Sequence, residues 1–71
     1  MAERVTAHIT GTVARIERPL GAAVAVGDAV VVIESMKMEL PVEARSAGTV
    51  TEVRCTVGQS VEEGDLLAVI G

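Results

Sequence analysis

Runs of apolar residues broken by glycines and charged residues divide this chain into eight short segments. They are Val5–Thr10, Thr12–Arg18, a stretch near Val24 and Ala29–Glu34, followed by Glu39–Arg45, Thr49–Val57, a stretch near Val61 and Leu66–Ile70. Thirteen Val, four Ile and six Thr give 23 β-branched residues of 71, and side chains stiff at χ1 favour strands over helices. The pattern predicts eight strands and an all-β domain. Alternation fails at one point: Val13 and Ile16 are three residues apart, as are Val50 and Val53, so a regular strand cannot turn both members of either pair inward. A bulge or sharp twist restores the alternation; otherwise Ile16 and Val53 sit half-exposed near a sheet edge.

The break recurs because the chain repeats itself. A shift of 37 places Gly11-Thr12-Val13 on Gly48-Thr49-Val50, Gly21 on Gly58, Val24 on Val61, Gly27-Asp28 on Gly64-Asp65 and Val32-Ile33 on Val69-Ile70, without a gap. Residues 1–34 and 38–71 are therefore two copies of one β unit, joined by Ser35-Met36-Lys37. Each copy is too small to bury its own apolar face, and two packed about a pseudo-two-fold axis share a core as a sandwich or flattened barrel. The matching glycines are expected at turns, where a positive φ costs glycine little. Asp28 and Asp65, each following one of them, read as turn formers.

Composition narrows the function. The chain is one small domain, 1–71, close to the lower size limit for a single core. A single cysteine, Cys55, and a single histidine, His8, leave no intramolecular disulfide, no Cys₄ or Cys₂His₂ zinc site and no histidine pair for a catalytic metal. Cys55 is expected on a strand as a small apolar residue, and His8 on a strand or loop outside any site. A net charge of −4, without a basic cluster or any aromatic residue, argues against nucleic acid. The longest apolar run, Leu20–Val26, is far short of a membrane span. No apolar segment follows Met1-Ala2-Glu3-Arg4, so no signal peptide is read and a cytoplasmic location is expected.

The joiner holds the one chemically unusual feature. A tight hairpin is expected between the strands that flank it, and two-residue hairpin loops place both central residues at φ > 0. Met36 and Lys37 are poor residues for that geometry, which costs on the order of 1–2 kcal/mol each, and two thioethers there leave apolar surface in water. Local rules broken together suggest a functional site. Lys37 is also the only lysine; the other basic residues are Arg4, Arg15, Arg18, Arg45 and Arg54. Lysine offers a primary amine that can become a neutral amide, whereas guanidinium stays protonated in proteins. A lysine required for acylation is the sharper reading, and an Arg-rich composition that disfavours lysine is the blander one.

Glu34-Ser35-Met36-Lys37-Met38-Glu39 resembles the attachment motif of biotinyl domains, in which a Met-Lys-Met turn carries the modified lysine. The resemblance covers essentially the whole chain, including both glycine sets, and is strongest to small free-standing biotin or lipoyl attachment proteins. Some positions depart from the pattern. Ala7-His8 and Ala44-Arg45 stand where the family often has Ala-Pro, Ala22 and Gln59 where an acidic residue commonly follows glycine, and Ser35 where alanine is commoner. The glycine spacing leaves no room for the protruding thumb of some acetyl-CoA carboxylase carriers.

The resemblance implies a flattened eight-stranded barrel with Lys37 at one end and both termini at the other. It implies biotin joined covalently to Lys37 by a biotin protein ligase through an adenylated intermediate, which moves the formal charge from −4 to −5. The domain would then be a non-catalytic carrier of CO₂ between biotin carboxylase and carboxyltransferase components, acting as a monomer, with Met36 and Met38 as flanking recognition residues. Glu34 and Glu39 are either a solvated cross-strand pair or ligase contacts. The short margins before the first strand and after Ile70 suggest a free-standing protein. The rival carrier is a lipoyl domain, whose turn usually pairs an acidic residue with the lysine. A structural barrel–sandwich module needing no modification is the rival of a different class.

Overall fold

The computed structural model describes residues 2–71. Every regular element among them is a strand: β1 (Glu3–Thr6), β2 (Gly11–Ile16), β3 (Ala23–Val24), β4 (Ala29–Ser35), β5 (Met38–Glu43), β6 (Gly48–Val53), β7 (Ser60–Val61) and β8 (Leu66–Ile70). They form two four-stranded sheets, ordered β1-β8-β6-β3 and β5-β4-β2-β7. Adding 37 to the residue numbers of β1 and β3, and subtracting 37 from those of β6 and β8, converts the first order into the second. The halves are therefore interleaved, each sheet taking two strands from each copy.

The pairing within the sheets explains the disrupted alternation. Val13 faces Ile33 and Arg15 faces Val32, leaving Ala14 as the extra residue. In the other copy Val50 faces Ile70 and Glu52 faces Val69, leaving Thr51 extra. These are the bulges expected from the spacing, and Ile16 and Val53 pack partly buried against the core. A second pair, at Val30 and Leu67, was not legible in the sequence. It lets Val30 and Val31, and likewise Leu67 and Ala68, point into the core from consecutive positions.

The core is wholly aliphatic apart from Cys55. Val13, Val30, Val31, Ile33, Val50, Val61, Leu67 and Ile70 are all but inaccessible to solvent, each contributing roughly 1.5–3 kcal/mol by burial. Among the described residues no polar or charged side chain is buried.

Paired hydrogen bonds lock the turns to the opposite copy. Gly21 N–H donates to Val50 O and Gly58 N–H to Val13 O, both at 2.8 Å, and Gly27 and Gly64 donate likewise to Ala44 and Ala7. These four glycines have φ near +90°, as expected of turns. Gly11 and Gly48 do not: they begin strands, and crowding requires them. A Cβ on Gly11 would lie 2.4 Å from Glu34 O, and one on Gly48 2.7 Å from Gly71 O. Asp28 and Asp65 are turn formers, accepting the Ala25 and Glu62 amides through Oδ2 at 2.8 and 2.9 Å.

Several boundaries differ from the expectation. β1 starts at Glu3 and ends at Thr6, because Ala7 N–H donates to Asp65 O and Ala7 O accepts from Gly64, neither of them in a strand. β6 stops at Val53 instead of Val57, since the chain turns to bring Gly58 onto Val13. Cys55 consequently lies beyond the strand, yet is buried in the core.

Candidate functional site

β4 and β5 pair in register up to Ser35 opposite Met38, which leaves Met36 and Lys37 as the two central residues of the hairpin. Their φ values, 54° and 65°, are the only positive ones outside glycine among the described residues. This is the strained two-residue turn the sequence implied. Four consecutive buried residues, Val30 to Ile33, anchor its incoming strand. Gly11 lies against its base, touching Glu34 O and Ile33. A rigid foundation thus carries an exposed tip.

Lys37 is exposed and, among the described residues, enters no ion pair. Met36 is 90% exposed and Met38 62%, so neither folds back on the barrel rim. Glu34 and Glu39 face each other one step below the turn. Like charges in that position repel, and the repulsion is relieved by a residue that sequence reasoning missed. Arg15 Nη1 donates to Glu39 Oε1 at 2.8 Å, and its Nε donates to Glu17 Oε1 at 2.6 Å. Those hydrogen bonds, from Glu39 first and Glu17 second, raise the Arg15 pKa and keep its guanidinium firmly protonated. The signal was available in the repeat, where Arg15 and Glu17 align with Glu52 and Arg54, an ion pair of reversed sign.

Glu3 and Ile70, paired near the two ends of the described chain, lie at the opposite pole. Glu3 takes the Arg45 and Ser46 amides and the Ser46 hydroxyl, at 2.7–3.1 Å, just past the end of β5 remote from the turn. β5 is six residues long, about 20 Å at the usual rise. Burial works to raise the Glu3 pKa, but the hydrogen bonds from Ser46 and Arg45 and the Arg45 charge outweigh it and hold the carboxyl below its ordinary value.

The other singled-out residues lie elsewhere. His8 is exposed beyond β1 and lines a groove of about 590 Å³ between β1 and β5, whose lining does not include Lys37. Burial pushes the Cys55 thiol pKa up, in keeping with an inert core residue. Among the described residues no group of His, Cys, Asp and Glu could hold a metal ion. Gln59 shows why one copy dispenses with a polar residue after its glycine. Its Oε1 accepts the Thr56 amide at 3.0 Å, whereas the matching position in the first copy is Pro19, which has no N–H, opposite Ala22.

Residues 20–70 match the family model described as biotin-requiring enzyme, of the biotin/lipoyl type. The chain belongs to the biotin/lipoyl family. It is 46% identical over 70 residues to the "Biotinylated protein TB7.3 homolog" of Mycobacterium leprae, covering 99% of both chains. It is 41% identical to the biotin-dependent acyl-coenzyme A carboxylase alpha3 subunit of the same organism, covering 96% of this chain and 11% of that one. Among solved structures, Kluyveromyces lactis urea carboxylase contains a segment that superimposes on the whole chain with a TM-score of 0.95 at 38% identity, 6% of that protein's length. The fold is thus that of the biotin carrier units of carboxylases, and this biotin/lipoyl domain is a biotin-requiring, non-catalytic carrier. Homologous domains are thus parts of biotin-dependent carboxylases.

Proposed function

We propose that Lys37 is the residue to which biotin is attached, that a biotin protein ligase makes the bond, and that the domain carries activated CO₂ between biotin carboxylase and carboxyltransferase components. The observation that supports this most directly is the chain's sole lysine, displayed at the tip of a hairpin whose two central residues both occupy a costly left-handed conformation. The residues fit the group: an amide at Lys37 Nζ breaks no ion pair of the described residues and buries no neighbour.

Lysine amines are cationic at neutral pH, so the ligase must remove a proton before Nζ can attack an activated carboxyl. Met36 and Met38, exposed on either side of the lysine, offer flexible thioethers to a ligase or carboxylase pocket. When bound, biotin supplies the ureido nitrogen that holds CO₂. The chain's own contribution is presentation. The anchored strands fix the direction of the arm, and tethering raises the effective concentration of the carried group at each partner. The domain works as a monomer, which its elution volume before and after modification checks.

The deciding experiment is intact mass spectrometry after co-expression with a biotin ligase and excess biotin, with Lys37→Arg as the control. A single biotinyl increment on the wild type and none on the variant is the expected result. An unmodified wild type in the presence of a demonstrably active ligase would overturn the assignment, and the same assay with a lipoate ligase would then test the related carrier role.

A further inference from the structure

The internal repeat lets each end of the molecule serve as a control for the other. In the sheet ordered β5-β4-β2-β7, register places Arg15, Val32 and Pro41 side by side, with Glu34 and Glu39 two rows on toward the turn, the next row on the same face. Arg15 reaches from β2 across β4 to β5, two interstrand spacings or roughly 10 Å. Its path crosses the row of Val32, which is 4% exposed although it is not part of the central core.

The matching row of the other sheet holds Glu52, Val69 and Arg4. Val69 is nearly as buried, at 8%, and Glu52 keeps a local partner in Arg54 at 2.8 Å. No bridge to a third strand exists there among the described residues, and the position matching Glu39 is Ala2. The two ends thus share the valine and the local ion pair. They differ in the long bridge, which occurs only at the end that displays Lys37.

We propose that Arg15 is a positioning residue for modification of Lys37. Holding Glu39 against the outer face of the sheet cancels its repulsion with Glu34 and fixes the course of β5 as it leaves the turn. The angle at which the tip enters a ligase follows from that course. The inference rests on Lys37 being the attachment residue.

The test is a cycle of Arg15→Gln, Glu39→Gln and the double variant, each assayed for biotin ligase kinetics and for hairpin amide exchange in the unmodified protein. Exposed ion pairs add little to stability, so the variants stay folded and Tm moves by a few degrees at most. Arg15→Gln is expected to raise the ligase KM about tenfold with kcat unchanged, since the proton-removing group belongs to the ligase. It is also expected to speed amide exchange at Lys37–Leu40. Because Arg15 acts through Glu39, the double variant should be no worse than either single one. The exchanged pair Arg15→Glu with Glu39→Arg should recover slow exchange.

A wild-type KM together with unchanged exchange in Arg15→Gln overturns the proposal. So does a double variant whose losses are the product of the single ones, or a fall confined to kcat. If the wild type is not modified at Lys37, the attachment reading fails instead, and the exchange data still report whether Arg15 holds the hairpin.

Discussion

Replacing Met36 by Asn should make the domain more stable while making it a poorer ligase substrate. Met36 sits at φ 54°, a region that costs an ordinary L-residue on the order of 1–2 kcal/mol and that Asn tolerates through local hydrogen bonding. The loss on the other side is small. Met36 is 90% exposed, so about a tenth of the roughly 1.5–3 kcal/mol available from burying a methionine is forfeited, some 0.2–0.3 kcal/mol. The net gain is about 0.7–1.8 kcal/mol, and for a domain of this size each kcal/mol raises Tm by roughly 4–8 °C. An increase of about 3–14 °C is expected by calorimetry or far-UV circular dichroism, as the chain has no aromatic reporter. Val26→Asn is the control: Val26 is 68% exposed but lacks a positive φ, so its replacement should bring no such rise. An unchanged or lower Tm in Met36→Asn, or an equal rise in Val26→Asn, would refute the idea that stability is given up at the turn.

Crowding at the hairpin base gives a second expectation. Gly11→Ala puts a methyl against the Glu34 carbonyl, which cannot yield cheaply, and overpacking of this kind costs about 1–3 kcal/mol. Gly48→Ala meets the same fate at the other end, so both variants should melt earlier in a thermal scan, but only Gly11→Ala should also lower kcat/KM for the ligase. A third concerns pH. The Glu3 carboxyl is held below its ordinary pKa, so its stabilisation is present above the unfolded-state value and is lost as pH falls through the folded one. Glu3→Gln should therefore lower Tm at pH 7 by roughly 4–8 °C, taking about 1 kcal/mol for a partly buried charge-assisted network. The difference should shrink steadily in melts taken from pH 5 down to pH 3.

The features legible in the sequence are those that depend on repetition and local pattern. The shift of 37 anticipated the two-fold relation of the sheets, and the three-residue spacing of Val13 and Ile16 anticipated a bulge, found at Ala14. The lone lysine between two methionines marked the tip, and its strained turn followed from hairpin geometry alone. What escaped depends on which strands become neighbours. Arg15 and Glu39 are 24 residues apart and meet only because β4 lies between β2 and β5. Glu3 and Ser46 meet only because the start of the chain returns to the far end of β5. Gly11 reads as a turn residue in the sequence, because crowding against another strand leaves no trace in local pattern. The bulge at Val30 was hidden for a related reason: in an unbroken run of valines, slipping one residue changes nothing in the pattern.

The interleaving of the two halves changes what the hairpin is. Since each sheet draws strands from both copies, the peptide bond after Lys37 is not needed to keep the halves together, and a cut there leaves two fragments clasped through a common interior. That bond is also the only one in the chain available to an endoprotease specific for lysine, and it joins two exposed residues. An acyl group on Nζ removes the charge such a protease needs. On the attachment proposed for Lys37, the tip is a scissile tether whose resistance to cleavage should report, molecule by molecule, whether the arm has been loaded.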